Sequence, residues 1–206
     1  MNLILGSQSP RRRELLTRMG LAFSVLTAEI DETKYETEDP AESVRRICAA
    51  KAAAVAERLA AQGGSPAPTL VLTADTVVVL DGRIMGKPRD KAEARAMLGA
   101  LSGRAHTVYT AFCLLPLGLE GREAVTHVEQ TLVRFRPLTP AEIAAYVDTG
   151  EPMDKAGAYG IQDLGAMLVE SIQGDYFTVM GLPVCQLAQA LKQFGVDPFC
   201  GANQPL

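Results

Sequence analysis

Val71-Leu72-Thr73-Ala74-Asp75-Thr76-Val77-Val78-Val79-Leu80 is the stretch on which the reading of the fold turns. With Leu70 before it, it predicts a strongly apolar strand over residues 70–80. Asp81-Gly82 follows and suits a tight hairpin turn. One residue breaks the apolar run, and it is Asp75. A carboxylate there must be paired, metal-bound or at the strand's exposed end. Left unpaired it would cost several kcal/mol. In open α/β sheets such positions often open onto a ligand crevice. Structural pairing with a nearby arginine is the plainer alternative.

Outward from that strand, helical and extended patterns alternate, which makes the chain α/β. Upstream, residues 3–5 read as a short buried strand. Ser9 is placed as a helix N-cap with Pro10 at the first helical position. That helix turns Leu15, Leu16 and Met19 inward and stops at Gly20. A strand is expected over residues 22–26, then a helix from Asp39-Pro40 to about residue 60. Residues 63–68 (GGSPAP) read as a surface loop. Downstream, a helix is expected over residues 90–101, with Gly103 just past its end. Two long strands follow between His106 and Phe135, joined around residues 118–122. Thr139-Pro140-Ala141-Glu142 fits a capping box, with a helix to about Val147. A strand over residues 166–172, a turn at Gly174-Asp175 and an amphipathic helix over residues 182–194 complete the pattern. Residues 1–195 read as one domain, and residues 196–206 as a polar, dispensable tail.

Composition narrows the function classes. The 206 residues are 48% hydrophobic, enough for a sizeable core. The net charge of −4 disfavours binding to long polyanions such as nucleic acid, while a small anionic substrate needs only a local basic pocket. The four cysteines, Cys48, Cys113, Cys185 and Cys200, are widely spaced, and there are two histidines, His106 and His127. That pattern argues against a structural zinc site or a disulfide framework and for reduced thiols in a cytoplasmic protein. The start of the chain does not read as a signal peptide, and no apolar run reaches the ~18 residues of a membrane span.

Three further places set charge against local rules. Arg11, Arg12 and Arg13 occupy a first helical turn, where the macrodipole already disfavours cations. A bound phosphate would reverse that sign; a solvated basic face is the alternative. Lys51 falls within the apolar stripe of Val44, Ile47, Cys48 and Val55. Its ammonium must snorkel, find a counter-ion or line a polar cleft. Asp154-Lys155-Ala156-Gly157-Ala158-Tyr159-Gly160-Ile161-Gln162 mixes charges, an amide and small residues that admit close backbone approach; a plain glycine-rich loop would look similar. Together these features suit metal-assisted attack on a phosphate better than acyl transfer or redox chemistry.

At these residues the chain resembles the Maf family of nucleotide pyrophosphatases, nearly end to end. Besides the segments already quoted, the match runs through Ser7-Gln8-Ser9-Pro10-Arg11-Arg12, Asp31-Glu32, Lys51-Ala52 and Gly86-Lys87-Pro88. It continues through Ser102-Gly103 with His106, Glu151-Pro152-Met153, Gly174-Asp175-Tyr176 and Gly181-Leu182-Pro183. The resemblance implies an inosine-triphosphate-pyrophosphatase-like fold: an elongated, bent mixed sheet flanked by helices, with two lobes around a central cleft. It implies Asp75 as the catalytic carboxylate, and Arg12, Thr76 and Gln162 as positions linked to substrate choice. Ser9, Arg11, Glu32, Lys51, Lys87, Asp154 and Lys155 match other cleft positions.

The paired arginines, Ala74-Asp75-Thr76 and the Gln162 segment resemble the branch that prefers dTTP and UTP. The branch acting on 7-methyl-GTP differs at all three, and it remains the alternative subtype. The expected reaction cuts the triphosphate to monophosphate and pyrophosphate. Glu32 and Asp75 are expected to hold Mg2+ or Mn2+, and Arg11, Arg12, Lys51 and Lys87 to offset triphosphate charge. Family resemblance further implies a homodimer. A non-catalytic alternative is a nucleotide-binding regulator of septum formation, a role also associated with Maf proteins.

Overall fold

The computed structural model describes residues 1–32, 38–65 and 67–201. Pro66 of the expected surface loop and residues 202–206 of the tail lie outside the described residues. The fold is a seven-stranded mixed sheet flanked by helices. In chain order its elements begin with β1 (Asn2–Leu5), α1 (Pro10–Arg18), β2 (Ser24–Val25), α2 (Pro40–Ala61), β3 (Thr69–Leu80) and β4 (Arg83–Met85). Then come α3 (Lys91–Leu101), β5 (Ala105–Leu117), β6 (Val125–Phe135), α4 (Pro140–Asp148), β7 (Val169–Gln173), α5 (Tyr176–Met180), α6 (Val184–Lys192) and α7 (Pro198–Gly201). The sheet order is β2-β1-β3-β5-β6-β7, with β4 also on β3. β1 is parallel to both β2 and β3; every other pairing is antiparallel.

The decisive stretch becomes β3, the central strand, fully paired with β5 from Thr69 to Val79. Its side chains alternate between the two faces of the sheet, as strand geometry requires. Leu70, Leu72 and Ala74 enter one core with α1 and α6, while Val78 and Leu80 enter another with α3 and α4. On the opposite face Val71, Val77 and Val79 pack beneath α2. That two-sided burial is why the run reads as almost continuously apolar.

The other edge of β3 is interrupted. β1 pairs with it only from Thr69 to Leu72, and β4 only from Val78 to Leu80. Among the described residues, 73–77 therefore have no strand neighbour on that edge. The gap lets residues from both faces of the sheet reach one space.

Local chemistry accounts for most helix starts. Asp39 accepts hydrogen bonds from the Ala41 and Glu42 amides, and Asp90 from the Glu93 amide. Thr139 and Glu142 form the expected capping box of α4. The hairpin at Asp81-Gly82 has positive φ at both residues, 50° and 75°, as a two-residue turn of this hand requires.

Several expected boundaries moved. The strand expected over residues 22–26 shrinks to Ser24–Val25, because only Ile4 and Leu5 of β1 pair with it. The strand expected from 166 begins at Val169, since Leu164–Leu168 coils into 3-10 turns first. The final helix is shorter than expected, and Asp175 caps a short helix, α5, where the pattern predicted only a turn. Part of the tail curls into α7, with Phe199 79% exposed.

Candidate active site

Six segments carry the candidate residues, β3 among them, and converge at the gap in that strand. They line a cavity of about 1350 Å3, which holds every candidate residue singled out in the sequence: Ser9, Arg11, Arg12, Glu32, Lys51, Asp75, Thr76, Lys87, Asp154, Lys155 and Gln162.

Asp75 and Lys51 form its centre. Thr73 Oγ1 donates to the Cys48 carbonyl at 2.6 Å and fixes α2 against β3. Lys51 lies one turn after Cys48, and Asp75 lies two residues after Thr73 on the same strand face. Their side chains therefore meet, with Lys51 Nζ 3.0 Å from Asp75 Oδ1. Lys51 Nζ is also 3.1 Å from Glu32 Oε2. The lysine thus draws two carboxylates toward one point. Of the readings open to Lys51, the counter-ion and polar-cleft readings both hold. Asp75 is paired too, with a lysine in the arginine's place. At 5% exposure its charge is worth far more than a surface charge.

The arginine triplet divides. Arg13 is exposed and fits the solvated-face alternative. Arg12 turns inward. Its Nε donates to the Gly181 carbonyl at 2.8 Å, Nη1 to the Ala74 carbonyl at 2.9 Å and to Ser7 Oγ at 3.1 Å, and Nη2 to Thr76 Oγ1 at 3.1 Å. Four bonds leave one of its five N–H groups for the cavity. Burial lowers its pKa and the charge of Asp75 opposes the shift; the guanidinium stays charged. Arg11 pairs with Asp154 at 3.2 Å. Asp154 also accepts from Lys155 Nζ at 2.7 Å. Burial pushes the Asp154 carboxyl up, but the lysine hydrogen bond and Arg11 outweigh it and hold it below the usual range. Ser9 sits at the N-cap of α1, yet its side chain makes no capping hydrogen bond.

Thr76 belongs to a directed chain. Thr110 Oγ1 donates to the Thr178 carbonyl at 2.7 Å, which uses its only hydrogen. In the 3.0 Å contact between the two threonines, Thr76 is therefore the donor. Thr76 accepts from Arg12, so its hydroxyl can offer the cavity only a lone pair.

Lys87 follows β4, is exposed, and has no ion-pair partner among the described residues. The neighbouring Gly86 carbonyl accepts from the Gly157 amide at 3.0 Å, which brings the two loops together. Gly157 has φ 68°, and a Cβ there would lie 2.9 Å from Val78 Cγ2, so glycine is required. Ala158 next to it is left-handed as well, at φ 60°, a strained state for a residue with a Cβ. Beyond this turn Gln162 reaches the cavity. Its amide oxygen is buried and has no hydrogen-bond partner among the described residues. Val78, Val108, Ile161, Val179 and Met180 supply apolar lining nearby.

Other polar groups near the cavity are less reactive. Burial raises the Cys48 thiol to about 12, which disqualifies it as a nucleophile. His106 is core: it bonds Tyr159 through Nε2 at 2.8 Å and stacks edge-on against Phe135 and Tyr159. Sequence reasoning assigned nothing to Thr110, Thr178 or the Gly181 carbonyl, because each matters only through a distant partner.

A mixed sheet with a gap in its central strand, where a buried carboxylate, a bridging lysine and arginines from a helix start converge, defines an α/β protein with one highly charged cleft. A family described as "Maf-like protein" matches residues 2–194, and the chain belongs to that family. The dTTP/UTP pyrophosphatase of Moorella thermoacetica is 53% identical over 195 residues, 95% of this chain and 96% of that protein. That of Symbiobacterium thermophilum is 49% identical over 199 residues, 97% of each chain. A third, from Bacillus anthracis, is 45% identical over 195 residues, 95% of this chain and 96% of that protein. Among solved structures, the Staphylococcus aureus Ham1 protein overlays with a TM-score of 0.49 at 13% identity, covering 95% of this chain and 100% of that one. Among the described residues no helix is long and apolar enough to cross a membrane.

Proposed function

We propose that this cleft hydrolyses a nucleoside triphosphate, dTTP or UTP best, to the nucleoside monophosphate and pyrophosphate. The observation that carries the reading is the Asp75–Lys51–Glu32 cluster, with Arg11, Arg12 and Lys87 lining the same cavity. The names borne by relatives at 45–53% identity point the same way.

Water attacks the α-phosphorus. A new P–O bond forms there, the bond to the β-phosphate oxygen breaks, and pyrophosphate leaves with the electron pair. Asp75 accepts the proton from the attacking water. Lys51 holds the Asp75 carboxylate in place through its 3.0 Å contact with Oδ1. Arg11 and Lys87 offset the negative charge that grows on the leaving group. Arg12 acts partly as a bracket, tying α1 to β3 and to the Gly181 turn, and turns its remaining N–H to the phosphates.

Glu32 and Asp75 offer oxygen donors of the kind that suits a hard divalent cation such as Mg2+ or Mn2+. Among the described residues no third His, Cys, Asp or Glu joins them. Such ions commonly take one or two carboxylates, with waters and substrate phosphates completing the shell. Bound there, the ion would neutralise phosphate charge.

Base choice falls to Gln162 and Thr76. A thymine or uracil ring presents one N–H donor between two carbonyl oxygens. The buried Gln162 oxygen and the Thr76 lone pair are acceptors for such a donor, and the Gln162 amide can also donate to a ring carbonyl.

Pyrophosphate release, measured over dTTP, UTP, the other common nucleotides and 7-methyl-GTP, tests the reading. Turnover should be highest for dTTP and UTP and disappear with a chelator. Asp75→Asn should fold and lose about 10²–10⁴-fold in turnover. Near-normal turnover in that variant removes Asp75 from the chemistry. A preference for 7-methyl-GTP moves the chain to the other branch.

A further inference from the structure

Gln162 sits in a loop that is closed by residues outside the cleft chemistry. Glu151 lies just past the end of α4, and its carboxylate accepts three hydrogen bonds. Tyr146 Oη donates to Oε1 at 2.8 Å, the Gly165 amide to the same oxygen at 3.1 Å, and the Leu164 amide to Oε2 at 3.1 Å. Tyr146 Oη also accepts from the Gly160 amide at 3.2 Å. One phenol and one carboxylate therefore grip both ends of residues 160–165. The ends touch closely: a Cβ on Gly165 would land on the Gly160 carbonyl oxygen and lie 2.6 Å from Tyr146 Oη. Lys155 Nζ donates to the Glu151 carbonyl at 2.6 Å, which joins the grip to the charged end of the cleft. Tyr146 is 6% exposed, and α4 holds it at a fixed height.

We propose that Tyr146 and Glu151 are positioning residues for nucleobase choice, pinching the 160–165 loop shut so that the Gln162 amide is presented at one place in the cavity. The inference rests on the reading of Gln162 as a base contact. A half-buried carboxylate that gathers three donors beside a surface turn spends its hydrogen bonds on holding this loop, and no other side chain among the described residues anchors both of its ends. Without the pinch the loop would still span the same points, but Gln162 would sample many positions, and the bond it makes to a ring would lose its pre-organisation.

The test compares kcat/KM for dTTP and dCTP in Gln162→Ala, Tyr146→Phe, Glu151→Gln and the double variant Tyr146→Phe/Gln162→Ala. Tyr146→Phe should lower the dTTP preference about ten-fold, chiefly through a higher KM for dTTP, with dCTP hydrolysis little changed. The double variant should be no less selective than Gln162→Ala alone, because the pinch acts through that amide. A purely structural role would lower both nucleotides together, and that result overturns the proposal. So does an additive double variant. If Gln162→Ala keeps the parent's preference, the base-contact reading itself fails and the inference goes with it; a changed preference in Gln162→Ala with none in Tyr146→Phe or Glu151→Gln overturns the inference alone. Hydrogen exchange on the unaltered protein gives a second readout that needs no variant. The Leu164 amide should exchange slowly although Leu164 is 48% exposed, and fast exchange there contradicts the pinch.

Discussion

Helices α1 and α4 both begin with proline at the first position, and they finish their N-termini in opposite ways. α4 is closed by protein. Thr139 and Glu142 cap each other's backbone, an acid sits in the first turn, and Arg136 pairs with Glu142 at 2.8 Å. Hydrogen bonds from Arg136 and Thr139 pull the Glu142 carboxyl down to about 2. α1 has no side-chain cap, no acid in its first turn, and two arginines lining the cavity. Both termini carry a favoured cap residue and a first-position proline, but only α4 closes its start with a side-chain cap and an acid. At α4 the chain supplies its own anion to the helix start; at α1 it sets two arginines against the cavity, with Arg11 paired to the distant Asp154.

Reversing a charge at the open start should break this contrast most strongly. Arg11→Glu is expected to lower kcat/KM for dTTP by about 10²-fold or more, since a cation facing the leaving group becomes a like charge. Thermal unfolding should barely move, because Arg11 and Asp154 form a partly exposed pair. A large fall in melting temperature with normal kinetics would make α1 an ordinary structural helix.

Acid should sharpen the contrast from the other side. His106 stacks against Phe135 and Tyr159, which belong to the core that α4 also enters. Burial lowers its pKa from 6.5 to about 4. The unfolded chain thus takes up a proton at higher pH than the fold does. Its contribution is complete above about pH 6.5 and is lost as pH falls toward about 4. Urea midpoints measured across that window should decline, and His106→Gln should flatten the slope. An unchanged slope would assign the decline to other groups.

The smallest effects come from the caps themselves. Thr139→Ala should cost about 1 kcal/mol of stability and leave hydrolysis unchanged. Ser9→Ala should cost less than about 0.5 kcal/mol, because the Ser9 side chain caps nothing, yet raise KM for dTTP. Equal stability losses at the two positions would erase the distinction. Chemical denaturation and steady-state kinetics on both variants decide it.

These contrasts also show what a sequence can disclose. Asp75 stood out because a carboxylate inside an apolar run has no cheap location, and Lys51 for the same reason on its helix. Both were legible from periodicity, as were the long strands, and the capping box of α4 was legible from its Thr139-to-Glu142 spacing. Their union was not, because it depends on Thr73 bonding to Cys48 across 25 residues. The gap in β3 was equally hidden: it arises because β1 and β4 are short, and β4 carried no pattern beyond its turn. Arg11, Arg12 and Arg13 look alike in a row. Only helix rotation assigns one to Asp154, one to the interior and one to solvent. Glu151 lay in plain view within a recognisable segment, but its three donors come from 5, 13 and 14 residues away. Pairings of that range leave no local signature.

The proposed chemistry turns on where water strikes. Hydrolysis of dTTP in 18O-labelled water, followed by mass analysis of both products, would report it directly. Attack at the α-phosphorus places the heavy oxygen in the monophosphate and leaves pyrophosphate unlabelled. Label in pyrophosphate, or release of orthophosphate with a nucleoside diphosphate, would rule out attack at the α-phosphorus.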